Sequence, residues 1–245
     1  MKVVFLGATR GMGRALARKM AARGDRLFLL GRNVDDLARS VRDLEAHAGS
    51  GAISHAYCDL SDPSSFAPSL DRADDVLGGF DTIVLTAGIF ATQEQLEKDA
   101  DLCRRLLVVN HAHSVIFLEE ARRRLLARGG GTICAFSSVA GDRARKPVVL
   151  YGSAKAGLSH YLEGLDHKFR ASGLRVICVK PGFVRTGMTA GLEAPPFAGE
   201  PDAVADVVLR AMDAGRPVVY APPVWRWIMA VIRHLPRALM RKVGF

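Results

Sequence analysis

Seven short apolar runs, with longer stretches of helical period between them, constrain this chain more than any other feature. The runs occupy residues 3–6, 27–30, 53–57, 82–85, 132–136, 175–179 and 218–220. The clearest segments with apolar residues three and four apart are 15–22, 37–46, 102–126, 154–169 and 203–212. Strands alternating with helices predict βαβ units, and these require a parallel sheet covered on both faces. Near-continuous apolar character within the strands agrees, because both of their faces would be buried. The expectation is a single α/β domain over residues 1–221: a doubly wound parallel seven-stranded sheet with helices on both sides. Residues 222–245 follow as a tail rather than a second domain.

The first apolar run leads into Gly7-Ala8-Thr9-Arg10-Gly11-Met12-Gly13 and then into a helical segment. A phosphate-binding turn needs one glycine for the sharp bend and another where backbone approaches the pyrophosphate. The next helix must then aim free N–H groups and its positive end at the anion. Gly7, Gly11 and Gly13 are spaced for this, and Thr9, Arg10 and Met12 fall inside the same turn, so the expected architecture is of Rossmann type. The second strand ends Leu30-Gly31-Arg32-Asn33, with no carboxylate to take a ribose 2′-hydroxyl. Asp35 and Asp36 belong to the next helix. Arg32, with Arg10 from the turn, instead suits a 2′-phosphate. At about 1.5–3 kcal/mol for each charge-assisted hydrogen bond, the pair predicts NADP(H) over NAD(H).

The fifth run ends in Ser137-Ser138. Tyr151 lies downstream, and Lys155 follows it by one helical turn, so both share a helix face. Hydride delivery to a carbonyl builds negative charge on oxygen, and that oxygen must receive a proton. A tyrosine near an ammonium has its phenolate stabilised, which makes it a usable acid/base. Tyr151 is therefore the candidate acid/base, and Lys155 its tuning cation and a ligand for the nicotinamide ribose. Ser138 is the candidate donor to the oxyanion.

These pieces resemble the short-chain dehydrogenase/reductase family across essentially residues 1–221. They are Gly7-x-x-x-Gly11-x-Gly13, Asp59-Leu60, Ala87-Gly88, Asn110, Ser138, Tyr151-x-x-x-Lys155 and Pro181-Gly182 with Thr186. The resemblance implies that Asp59 contacts adenine and that Asn110 holds a water in a proton relay behind Lys155. It also implies that Val184 and Thr186 hold the nicotinamide amide. Asn33, Leu60, Ala87, Gly88, Pro181 and Gly182 complete the implied cofactor site. The chain departs from the family pattern at Leu6, where threonine is usual, and at Leu85-Thr86, where paired asparagines support the central strand. From Ser137 through the tail it resembles one branch, the decaprenylphosphoryl 2-keto-pentose reductases, which implies a lipid-linked keto-sugar as substrate.

From Pro222 onward the chain holds no acid and five of its 34 Lys and Arg residues. Trp225, Trp227, Ile228, Val231, Ile232 and Leu235 give this stretch a broad apolar face, and Pro236 should break its helix. Three sites could take such a segment: a membrane interface, the subunit's own pocket or a partner subunit. The net charge of +9 raises the question of nucleic acid, yet no recognisable binding module accompanies it, and most arginines alternate with acids along helices. The four cysteines show no metal-ligand or disulfide spacing, so no metal is expected, and free thiols in a reducing cytoplasm are. No apolar run has spanning length or the look of a signal peptide. The expected location is cytoplasmic, with the inner face of the membrane as the tail's contact, and the expected assembly is a homodimer or homotetramer. The main reading is an NADPH-dependent reductase of a hydrophobic or lipid-linked carbonyl. Its rivals are a reductase of soluble acyl or small ketone substrates and a non-catalytic NADP-sensing module.

Overall fold

A computed structural model of the chain describes residues 1–48 and 52–244. Phe245, the last residue of the tail, lies outside them. The strands are β1 (Lys2–Leu6), β2 (Arg26–Gly31), β3 (Ile53–Tyr57), β4 (Thr82–Leu85), β5 (Gly131–Phe136), β6 (Leu174–Pro181) and β7 (Val218–Ala221). Every pairing is parallel, and the order across the sheet is β3-β2-β1-β4-β5-β6-β7. The order reverses between β1 and β4, so the two flanking crossovers diverge there and leave a crevice at the carboxyl ends of the strands.

Alternation along each strand divides the core in two. Val3, Phe5, Leu27 and Leu29 face one side with Cys134, Ile177 and Val179, under α1 (Gly11–Ala22), α2 (Val34–Glu45) and α8 (Pro201–Asp213). Val4, Leu6, Phe28 and Leu30 face the other with Ile133 and Val176. That side is covered by α3 (Phe66–Leu77), α6 (His113–Ala127) and α7 (Val149–Phe169). Burial of both pleat faces is why the strands read as unbroken apolar runs. Between β4 and α6 lie α4 (Gln93–Lys98) and α5 (Ala100–Leu107), and after β7 come α9 (Trp225–His234) and α10 (Arg237–Met240).

Three elements differ from the sequence expectation. Helix α3 was not expected, although Phe66, Leu70, Ala73 and Leu77 keep helical spacing and are all buried; Pro68 sits in its first turn, where a missing N–H costs little. Helix α4 is also new, and is started by a capping box in which Thr92 and Gln95 bond each other's backbone. The single helix expected over 102–126 is instead α5, a π-helical segment at Val108–Ala112 and α6. The widened turn falls on Asn110.

Candidate active site

The crevice is built first by close approach of backbone. Gly7 takes φ +107°, a left-handed geometry, and a Cβ on it would lie 2.4 Å from the Ala87 nitrogen. On Gly13 a Cβ would meet the Gly7 carbonyl oxygen at 2.2 Å, so this glycine lets α1 press against the turn. Where the family pattern has paired asparagines, the Thr86 hydroxyl donates to the Gly7 carbonyl at 2.9 Å. The backbone N–H groups of Thr86 and Ala87 donate to the Leu6 carbonyl at 2.9 and 3.1 Å. The departures at Leu6 and Leu85-Thr86 thus leave the central strand supported by other bonds. At the start of α1, Arg10 makes no side-chain cap and the first turn holds no acid. Free N–H donors and the helix dipole therefore point into the crevice, which suits a pyrophosphate.

The crevice has a volume of about 610 Å³. Of the residues named for the cofactor, Gly7, Thr9, Arg10, Gly11, Met12, Gly13, Arg32, Asn33, Asp59, Leu60, Ala87, Gly88 and Thr186 line it. Pro181, Gly182, Val184, Tyr151 and Lys155, also named for the cofactor, do not; Pro181 and Val184 are buried. Arg105, Ser61, Ile89, Phe90 and Met188 line it as well and were not singled out from the sequence. Arg105 stands one helical turn before Val109, another lining residue, and that spacing was its only available signal. Asn33 caps α2 by accepting from the Asp36 N–H at 2.9 Å. Arg10 donates to Asp36 at 3.0 Å while remaining largely exposed. Hydrogen bonds from Arg39 and then Arg10 hold the Asp36 carboxyl below its ordinary range. Water screens this pair, so Arg10 is free to exchange its carboxylate for a phosphate.

Beside the crevice, Ser138 follows β5, and Tyr151 and Lys155 share α7. Two glycines let these segments meet. A Cβ on Gly141 would lie 2.7 Å from the Ala156 nitrogen, and one on Gly152 would lie 2.8 Å from the Ala140 carbonyl oxygen. The Ser138 hydroxyl accepts from the Ala140 N–H at 3.1 Å and lies on the Tyr151 side of the loop. Burial pushes the Tyr151 phenol up to about 12, opposed by the nearby Ser138 hydroxyl. Lys155, 5% exposed, donates to the Phe136 carbonyl at 2.9 Å, and its ammonium lies 5.9 Å from the Tyr151 ring centre. Burial pulls it down to about 8. Ser137 anchors the assembly by donating to the Lys155 carbonyl at 2.8 Å.

Asn110 is fully buried, and its side chain is committed. The amide NH2 donates to the Ile89 carbonyl at 2.7 Å, and the amide oxygen accepts from the Ile89 N–H at 2.9 Å. A Cβ on Gly88 would touch both the Asn110 oxygen (2.9 Å) and the Lys155 ammonium (3.7 Å), so the three converge behind the site. The side chain of Asn110 therefore fixes the segment that follows β4. On the substrate side, Tyr151 meets Phe90 edge to face at 5.2 Å and joins a cluster with Leu96, Leu102, Leu106 and Leu150.

The tail is split by its packing. Trp225, Met229 and Ile232 are buried on Val139, Phe183 and Tyr220, whereas Trp227 and Val231 face outward. The broad apolar face expected from the sequence is thus two stripes, and one of them rests on the chain's own catalytic loops. Trp225 lies directly against Gly182, where a Cβ would fall 2.0 Å from its indole nitrogen. That nitrogen is buried and finds no hydrogen-bond partner among the described residues.

Residues 1–196 match the family model for short chain dehydrogenases. The chain belongs to the short-chain dehydrogenase family. It is 34% identical over 241 residues to an uncharacterised oxidoreductase of Mycobacterium tuberculosis, covering 98% of this chain and 96% of that one. It is also 34% identical to the cis-4-hydroxycyclohexanecarboxylate dehydrogenase of Sinomonas cyclohexanicum, over 78% of this chain and 76% of the other. Among solved structures it is similar to a short-chain type dehydrogenase/reductase from Mycobacterium ulcerans. The TM-score there is 0.81 at 26% identity, with 89% of this chain and 86% of that one covered. As a short-chain dehydrogenase, the protein is an oxidoreductase that acts on alcohol and ketone groups with a nicotinamide dinucleotide.

Proposed function

We propose that this short-chain dehydrogenase is an NADP(H)-dependent reductase of a hydrophobic ketone. The observation that carries this reading is the close approach of the Ser138 loop to the helix of Tyr151 and buried Lys155, next to a crevice edged by Arg10 and Arg32. When bound, NADP(H) supplies or accepts the hydride. Gly7, Gly11, Gly13 and the start of α1 would hold its pyrophosphate, and Arg10 and Arg32 its 2′-phosphate. Asp59 and Leu60 would flank the adenine, and Val184 and Thr186 the nicotinamide amide.

Tyr151 delivers the proton to the oxygen that gains charge, and Ser138 donates a second hydrogen bond to that oxygen. The Lys155 ammonium stabilises the phenolate left behind. Asn110 acts at one remove, by holding Ile89 and so the Gly88 backbone that passes Lys155. Apolar side chains around Tyr151, Phe90 and Leu96 among them, favour a hydrophobic substrate. The branch resemblance in the tail suggests a lipid-linked keto-sugar as the member of that class. A homo-oligomer is the expected assembly.

The decisive experiment is Tyr151→Phe. Its expected outcome is near-normal NADPH affinity by fluorescence titration, with turnover of a hydrophobic ketone reduced roughly 10²–10⁴-fold. Wild-type turnover in this variant would remove Tyr151 as the acid/base. If apolar and small soluble ketones were reduced with equal kcat/KM, the substrate assignment would fall and the reductase would stand.

A further inference from the structure

The outward face of α9 has no function in the site, yet its chemistry is specific. Val224, Trp227 and Val231 are spaced three and four apart and are 36%, 70% and 65% exposed. This stripe is separate from Trp225, Met229 and Ile232, which are packed inward. Leu239 of α10 is 45% exposed further along. The same segment carries Arg226, whose guanidinium lies 5.7 Å from the Trp227 ring centre, with Arg233, Arg237, Arg241 and Lys242, and no acid from Pro222 to the end. Gly199 lies against Pro222, and exposed Phe197 is two residues from it, so a second apolar side chain comes near the base of the tail.

We infer that this face docks onto an anionic lipid surface, with α9 lying in the plane of the interface. An aromatic ring and branched aliphatic side chains suit the boundary between headgroups and acyl chains, and the arginines suit the phosphates above it. No helix among the described residues is long and apolar enough to cross a membrane, so the contact is peripheral. A second copy of the chain is the poorer occupant. A two-fold interface centred here would place five cations against the same five, with no carboxylate in the segment to relieve them. Single-stranded nucleic acid would use the arginines and Trp227, but it would leave the valine stripe unused.

Docking has a consequence for the catalytic site. The inner face of the same helix rests on Val139, the neighbour of Ser138, and on Gly182 through Trp225. A bilayer on the outer face therefore lies about one helix diameter, roughly 10 Å, from the catalytic loops. A ketone dissolved in the membrane would then have only a short path to Tyr151. This last step rests on the proposed reductase function; the docking does not.

The test is co-sedimentation of the full chain with vesicles of phosphatidylcholine alone and of phosphatidylcholine mixed with phosphatidylglycerol. Pelleting with the anionic vesicles, release at high salt and a blue shift of tryptophan emission are expected. Trp227→Ser combined with Val231→Ser should lower the affinity roughly tenfold or more. Both side chains are exposed, so the melting temperature and NADPH affinity of this variant should match wild type. Failure to pellet with anionic vesicles would overturn the inference, as would undiminished pelleting of the double variant. A smaller oligomer of that variant by light scattering would make the face a subunit contact instead. Preferential binding of a single-stranded oligonucleotide would make it a nucleic-acid surface. None of these readouts depends on turnover, so their failure is separable from failure of the reductase assignment.

Discussion

Burial acts on Tyr151 and Lys155 in opposite electrical directions, and the difference sets the pH behaviour of reduction. The phenol, pushed up to about 12, keeps its proton across the neutral range and is ready to give it away. The ammonium, pulled down to about 8, is charged below that pH and neutral above it. Since the charged form supports the phenolate, NADPH-driven reduction should be level below about pH 8 and fall above it. A pH profile of kcat/KM checks this, and a profile that stayed flat well beyond pH 8 would detach Lys155 from the proton transfer. The pairing of Tyr151 with Lys155 was legible from four-residue spacing alone. The role of Gly141 and Gly152 in bringing Ser138 to them was not, because their value lies in contacts between segments that the sequence does not place together.

At the scale of elements, the π-helical turn at Val108–Ala112 is the feature that the hydrophobic period hid. Apolar spacing over 102–126 fits one regular helix, since an inserted residue shifts the pattern by little more than its own scatter. The insertion brings buried Asn110 to the segment that follows β4, where it exchanges two hydrogen bonds with half-buried Ile89. Asn110→Ala would leave both backbone groups of Ile89 unpaired, at about 1–3 kcal/mol each. The expected result is a loss of about 2–6 kcal/mol by urea denaturation, together with reduced turnover. Loss of turnover at unchanged stability would instead favour a direct part in a proton relay. Helix α9 teaches a similar lesson. Its sequence reads as one wide apolar face, and only packing on Val139 and Phe183 divides it into a buried and an open stripe.

For the molecule as a whole, the crevice at the sheet's reversal point is the place where separate elements complete one site. A ligand bound only by the folded chain stabilises it by about 2.7 kcal/mol at a hundredfold excess over Kd. For a chain of this size that corresponds to a rise of roughly 5–10 °C in melting temperature. NADPH should produce this shift at a lower concentration than NADH, because Arg10 and Arg32 edge the crevice where the second strand ends. In Arg32→Ala the difference between the two cofactors should shrink by tenfold or more in Kd. Equal losses for both in thermal-shift titrations would place the 2′-phosphate elsewhere.

The seven strands and their alternation with helices, the glycine turn and the tyrosine–lysine spacing were legible in the sequence alone, because each is a local pattern whose period or geometry admits few alternatives. The sites of Arg105 in the crevice wall, of Thr86 beneath the glycine turn and of Trp225 on Gly182 were decided only by tertiary structure. Each depends on residues far apart in the chain meeting at van der Waals distance, and no local period encodes such a meeting.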